Sequence, residues 1–113
     1  MRSLILSITI AMVLSSSCAS KKDAGNYPKA LQPIIKQFSS APPCKDAHVD
    51  EFEFQGKLVY ALVPGTCGAD MGTDIFAADG TKLGMLGGFS GKTSINGEDF
   101  DKAIFKRTLW KNG

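Results

Sequence analysis

The chain has 113 residues, 43% of them hydrophobic, with 13 basic and 11 acidic side chains. A chain of this length forms one small domain with a limited core. Its charges of both signs are interleaved, so the strong positive field that draws a protein to nucleic acid is missing, and the sequence does not support nucleic-acid binding.

An apolar run of about eleven residues follows Arg2 and ends shortly before Cys18. The run is too short for a membrane-spanning helix and is typical of a secretory signal. The serines Ser15 to Ser17 and the cysteine after them resemble the lipobox at which bacterial lipoproteins are cleaved and acylated. We predict a lipoprotein signal peptide over residues 1–17 and lipid attachment at Cys18. Simple secretory cleavage near Ser17 is the alternative.

The number of cysteines supports this interpretation. The chain has three cysteines, and an exported chain with an odd number leaves one unpaired, which acylation of Cys18 explains. Disulfides form and persist outside the cytoplasm, so we expect a Cys44–Cys67 bond. In the chain-entropy model, a disulfide that closes a loop of about two dozen residues stabilises the fold by about 3 kcal/mol, because it lowers the entropy of the unfolded chain.

Two other interpretations of these cysteines compete with the disulfide. Cys44 and His48 could form a thiol nucleophile and its base. Cys44, His48, Cys67 and Asp70 could instead bind zinc, since thiolate, imidazole and carboxylate are zinc ligands. A disulfide would abolish the nucleophile and would compete with the metal, so we predict no catalytic and no metal residues.

The residues after Cys18 divide into a linker and a domain. Residues 18–26 are small and charged, which predicts a flexible, lipid-anchored tether, and residues 27–113 form the domain. The domain begins with an apolar stripe of helical spacing, which predicts an amphipathic helix that either bends at Pro33 or begins there. The stripe consists of Leu31, Ile34, Ile35 and Phe38.

The period changes to alternation after Asp46. Phe52 and Phe54 alternate with acidic residues, and the turn signal Gln55-Gly56-Lys57 connects them to an apolar run at residues 58–63, which predicts a hairpin.

A second hairpin is predicted over residues 73–86, because Asp79-Gly80 separates two apolar runs. We also predict a short helix from Gly97 to about Phe105 and a last strand over residues 106–111. The predicted fold is α+β, with one N-terminal amphipathic helix packed on a four- or five-stranded antiparallel sheet and one disulfide.

A glycine-rich segment follows the second hairpin and is our candidate partner-binding loop. It resembles a phosphate-binding loop but lacks its spacing, since the residue five before Gly91 is Leu86 and no long helix is predicted after it. Glycines let a ligand approach the backbone closely, and loops carry function more often than the scaffold beneath them. The loop consists of Gly87, Gly88, Phe89, Ser90, Gly91 and Lys92.

Three stretches of the chain also share a family pattern. They are residues 57–70 (KLVYALVPGTCGAD), 74–80 (DIFAADG) and 87–92 (GGFSGK), followed by Asp99-Phe100 and Leu109-Trp110. Together they resemble a domain-of-unknown-function family of small bacterial lipoproteins. The resemblance spans most of Tyr27 to Trp110 and implies a lipid-anchored domain with no assigned activity.

From these features we expect an exported, non-enzymatic binding module of the bacterial cell envelope that needs no cofactor. Its expected partners are the membrane, through the lipid, and an envelope protein or peptide. Ala19 follows Cys18 where an aspartate would retain an enterobacterial lipoprotein in the inner membrane, so we expect the outer membrane. The alternative function is inhibition of an extracytoplasmic hydrolase such as a protease or lysozyme, since small disulfide-bonded domains with a glycine-rich loop suit that role.

Overall fold

The computed structural model describes residues 27–68, 71–88 and 91–113. The predicted signal peptide, Cys18 and the predicted tether lie outside the described residues. So do Asp70, which we considered as a zinc ligand, and Phe89 and Ser90 of the candidate loop.

The helix begins in the turn that contains Pro33, so it does not bend at the proline. A 3-10 turn at Lys29–Leu31 leads into helix α1 at Gln32–Ser40, with the proline in the first turn. Proline is tolerated at this place because the first backbone N–H groups of a helix have no intrahelical partner. Leu31 and Ile35 are fully buried, and Ile34 and Phe38 pack against the same cluster, so the predicted stripe is confirmed.

Five strands form one antiparallel sheet: β1 (His48–Phe54), β2 (Lys57–Val63), β3 (Gly72–Ala77), β4 (Lys82–Gly87) and, after two short strands that are described below, β7 (Ile104–Lys111). Their order across the sheet is β4-β3-β2-β1-β7. Both predicted hairpins are confirmed. The first turn has Gln55 at φ 54° and Gly56 at φ 77°, the left-handed pair that a two-residue hairpin turn needs.

The predicted helix from Gly97 to about Phe105 is wrong. Short strands β5 (Ser94–Ile95) and β6 (Glu98–Asp99) pair across a turn in which Asn96 has φ 51° and Gly97 has φ 80°. A three-residue 3-10 turn at Phe100–Lys102 follows, and β7 begins at Ile104, two residues earlier than predicted. The Asn-Gly dipeptide makes a left-handed turn at this place, where the prediction needed a right-handed first helical turn.

Both faces of the sheet are covered, so the domain has two apolar clusters. On one face α1 packs on Val49, Tyr60, Leu62 and Leu109. On the other face the chain between β4 and β7 crosses the sheet, and its Ile95 joins a second cluster. That cluster contains Phe54, Val59, Ala61, Ile75 and Ile95.

The two ends of the sheet differ. The hairpin end carries the β1–β2 turn at Gln55-Gly56 and the β3–β4 turn around Asp79-Gly80. The chain enters the domain there, since a Cβ placed on Gly80 would lie 3.5 Å from the Cβ of Ala30. At the opposite end, which we call the disulfide end, β2 finishes at Val63 and β3 starts at Gly72. Among the described residues no helix is long and apolar enough to cross a membrane.

Candidate functional site

The Cys44–Cys67 disulfide is present, as predicted. Its Cα atoms are 5.7 Å apart, and it joins the segment after α1 to the loop after β2. Cys44 is buried, whereas Cys67 is exposed. Both sulfurs are consumed by the bond, so neither is a free thiolate for the nucleophile or for zinc ligation.

The disulfide end is held together by one carboxylate. The Asp46 side chain accepts hydrogen bonds from the Thr66 N–H at 3.1 Å and from the Thr66 hydroxyl at 2.6 Å. These bonds from Thr66 lower the pKa of Asp46 below its ordinary value. Gly65, which precedes Thr66, has a φ of 111°, and a Cβ added to it would come within 2.6 Å of the Cys44 Cβ. Asp46 therefore fixes the loop that carries Cys67.

His48 makes local contacts as well. Its Nδ1 atom lies 2.9 Å from the Asp46 carbonyl oxygen, and its Nε2 atom lies 3.4 Å from an Asp50 carboxylate oxygen. The ring lines a shallow cavity of about 340 Å³ that Thr108 and Lys111 also border. Within the described ranges, no three His, Cys, Asp or Glu side chains converge on a point that could hold a metal ion.

The candidate loop adjoins the disulfide end. It closes through a 2.7 Å hydrogen bond from the Gly87 N–H to the Lys92 carbonyl oxygen. Gly87, Gly88 and Gly91 have φ values of 70°, 71° and 65°, so the glycines are required by a left-handed turn. Lys92 is exposed, and no ion pair of its ammonium group is found among the described residues. The described part of the loop therefore offers the Lys92 cation to solvent.

Met71 lies between this loop and the disulfide. The Met71 Sδ atom lies 3.6 Å from the Cys44 Sγ atom. The Met71 carbonyl oxygen lies 3.9 Å from where a Gly87 Cβ would be. The disulfide, Met71 and the base of the candidate loop are therefore neighbours on one end of the domain, an arrangement that the sequence did not reveal.

The acidic residues of the β3–β4 turn and of the segment before β7 form local hydrogen bonds. The Asp99 side chain accepts a hydrogen bond of 3.0 Å from the Asp101 N–H and so caps the 3-10 turn. Glu98 accepts one of 3.0 Å from the Gln55 amide, which joins β6 to the β1–β2 turn. Asp79 accepts one of 3.0 Å from the Thr81 N–H, and that bond lowers the pKa of Asp79.

One buried polar cluster was missed by sequence reasoning. Glu51 accepts a 2.9 Å hydrogen bond from the Tyr60 hydroxyl and another of 2.9 Å from the Arg107 Nε–H. Burial acts to raise the pKa of Glu51, but the bonds from Arg107 and Tyr60 outweigh it and lower the pKa. Burial and the bond to Glu51 raise the pKa of Tyr60 to about 12.

A cleft of about 530 Å³ lies at the hairpin end, and sequence reasoning missed it too. Phe54, Val59 and Leu83 form its apolar floor, and Lys57 and Asn96 border it. The cleft is far from the disulfide, so the molecule presents two separate surfaces, one at each end of the sheet.

Comparison with protein families gives a match over most of the domain. The family model described as a domain of unknown function (DUF6970) matches residues 36–112, which include the whole sheet, the disulfide and the candidate loop. Neither a curated protein nor a solved structure matches the chain.

Proposed function

Because the chain belongs to DUF6970, a family of unknown function that suggests no activity, we propose a role from the residues of the chain itself. The protein is a non-enzymatic binding module held at the bacterial cell envelope by a lipid on Cys18. The proposed membrane is the outer membrane. The proposed partner is an envelope protein or peptide that binds at the disulfide end.

The use of the cysteines carries the proposal. The chain has three cysteines, and two of them are joined in the Cys44–Cys67 bond. The third, Cys18, follows a short apolar run and three serines, the position of the acylated cysteine in lipoproteins. A disulfide in a small domain also favours a compartment outside the cytoplasm.

Binding is favoured over catalysis by what the reactive side chains do. The thiol of Cys44 is in a disulfide, the Asp46 carboxylate holds Thr66, and the Glu51 carboxylate holds Tyr60 and Arg107. Each of these groups stabilises the fold through a named contact. In the glycine-rich loop, by contrast, the exposed Lys92 ammonium group has no ion pair among the described residues, so it offers a contact that the fold does not use.

Replacement of Cys18 tests the anchor. We expect the unmodified protein, produced in a bacterial host, to enter the membrane fraction and to incorporate labelled palmitate. Cys18→Ala should be soluble and unlabelled, because each buried CH₂ of an acyl chain contributes about 0.8 kcal/mol to membrane binding. Ser20→Ala, a change in the same predicted tether, is the matched control and should behave like the unmodified protein. Membrane residence of Cys18→Ala after signal cleavage would contradict the proposal.

A further inference from the structure

We propose that the hairpin end of the domain docks on the surface of the lipid bilayer through an exposed apolar patch formed by Leu58, Ile104 and Phe105. The inference rests on the proposed lipid anchor and adds to it a fixed orientation. In that orientation the disulfide end and the glycine-rich loop point away from the membrane.

The patch consists of large apolar side chains that the fold leaves in solvent. Leu58 is 42% exposed, Ile104 is 59% exposed and Phe105 is 54% exposed. Leu58 and Ile104 are the partners of Glu53 in the two neighbouring strands, so they lie on either side of it. Phe105 follows Ile104 on the edge strand, and its ring packs against Phe52 with centroids 5.7 Å apart. Leu58 and Ile104 lie on the face of the sheet that α1 covers and Phe105 lies on the opposite face, so the patch wraps around the hairpin end of the sheet.

The chain enters the domain at this same end. Ala30 packs at the β3–β4 turn, and the predicted lipid site at Cys18 precedes Tyr27 by nine residues. Nine residues span about 30 Å at full extension, since each adds at most roughly 3.3–3.6 Å. A strand of seven residues, such as β2, is itself about 23 Å long. As a flexible coil, the predicted tether would span only about 15–18 Å on average, which is less than the length of the strand. An anchor on Cys18 therefore keeps the hairpin end nearer to the bilayer on average, at a high effective concentration.

The edge strand β7 disfavours a second copy of the chain as the occupant. Charges of both signs border the hairpin end, among them Lys57, Lys102 and Lys106 and the acids Glu53, Asp79, Glu98, Asp99 and Asp101, so apolar contact supplies the attraction rather than net positive charge. The pairing of β7 with β1 is interrupted by two register shifts, and β7 also carries lysines. Irregular pairing and lysines on an edge strand are features that prevent pairing with another strand.

Lipid quenching of tryptophan fluorescence tests the docking. The full-length lipoprotein is placed in vesicles of phosphatidylethanolamine and phosphatidylglycerol with brominated acyl chains, and flotation first establishes that it is bound. Two variants are compared, Phe105→Trp in the patch and Lys111→Trp on the same strand at the disulfide end. The signal of Trp110, the only native tryptophan, is subtracted with the unmodified protein.

We expect the bromines to quench Phe105→Trp about twofold more than Lys111→Trp, because interfacial apolar side chains reach about 5–10 Å into the headgroup and acyl boundary. Ile104→Trp gives a second reading in the patch should Phe105→Trp fold poorly, since the Ile104 side chain is the more exposed of the two. Flotation with equal quenching at both ends, or with more at Lys111→Trp, overturns the docking and leaves the anchor intact. Failure of the unmodified protein to float overturns the anchor and the docking with it.

Discussion

Glu51 is a carboxylate in the middle of a sheet with 7% of its surface exposed. A buried charge costs several kcal/mol unless it is paired and hydrogen-bonded. Tyr60 donates to one of its oxygens and Arg107 to the other, so each oxygen accepts a bond. Removal of either partner would leave one buried carboxylate oxygen without a hydrogen bond. This requirement explains why a tyrosine occupies a core position of β2.

This cluster makes part of the domain's stability at alkaline pH depend on one side chain, that of Tyr60. Burial and the bond to Glu51 raise the pKa of Tyr60 from 10.0 to about 12. A raised pKa means that the folded state holds the proton more tightly than the unfolded state. The resulting stability is fully present below pH 10.0 and is lost as the pH rises to about 12.

We expect Tyr60→Phe to remove this part of the alkaline dependence and to lower the free energy of unfolding at neutral pH by about 1.5–3 kcal/mol, the contribution of a hydrogen bond to a charged group. Urea unfolding, followed below pH 10.0 and up to about 12, measures both effects. Tyr27→Phe, at the other tyrosine, is the control and should keep the alkaline loss. Parallel loss of stability in Tyr60→Phe and the unmodified protein would show that the Tyr60 proton is not involved.

Among the elements, α1 and the first two hairpins followed from local patterns. The stripe from Leu31 to Phe38 and the turns at Gln55-Gly56 and Asp79-Gly80 lie within short stretches, so neighbouring residues determine them. The disulfide was predicted from the number of cysteines and from the predicted export signal. The Glu51 cluster could not be predicted, because Arg107 is 56 residues away and reaches Glu51 only through the register of β7 on β1.

The segment from 94 to 103 shows why one element was mispredicted. Glu98, Asp99 and Asp101 resemble the acidic first turn of a helix, but the Asn96-Gly97 dipeptide before them is a hairpin signal. Packing decides in favour of the hairpin. Ile95 is 2% exposed beneath the sheet, and a Cβ on Gly84 would come within 2.9 Å of its Cδ1 atom. The helix prediction ignored this distant contact, which no local pattern encodes.

The turn can be tested at Gly97. Its φ of 80° lies in the left-handed region, so we expect Gly97→Ala to lower the free energy of unfolding by about 1–2 kcal/mol. Thr93→Ala, an exposed position just before β5, should change it by less than about 0.5 kcal/mol. Urea denaturation measures both variants. A stabilising Gly97→Ala would instead agree with the helix that we first predicted, since alanine is the better helix former.

At the scale of the whole molecule, the two ends of the sheet carry surfaces of different character. The hairpin end carries the chain entry and the apolar patch, and the disulfide end carries the Cys44–Cys67 bond, Met71 and the base of the glycine-rich loop. A disulfide close to the loop limits the motion of the scaffold that presents it. A lipid-anchored domain with this layout would expose its disulfide end to the envelope, where a partner could bind.

We expect Lys92→Ala to weaken capture of an envelope partner by about fivefold in Kd, the effect of removing a contact that contributes about 1 kcal/mol. The thermal midpoint should stay within a few degrees, because Lys92 is exposed and no ion pair holds it among the described residues. Lys57→Ala removes another exposed lysine, at the hairpin end, and should leave capture unchanged. Cross-linking in intact cells, followed by quantification of the partner first identified with the unmodified protein, distinguishes the two. A loss confined to Lys57→Ala would place the partner at the hairpin end and contradict both the loop site and the membrane-facing orientation of that end.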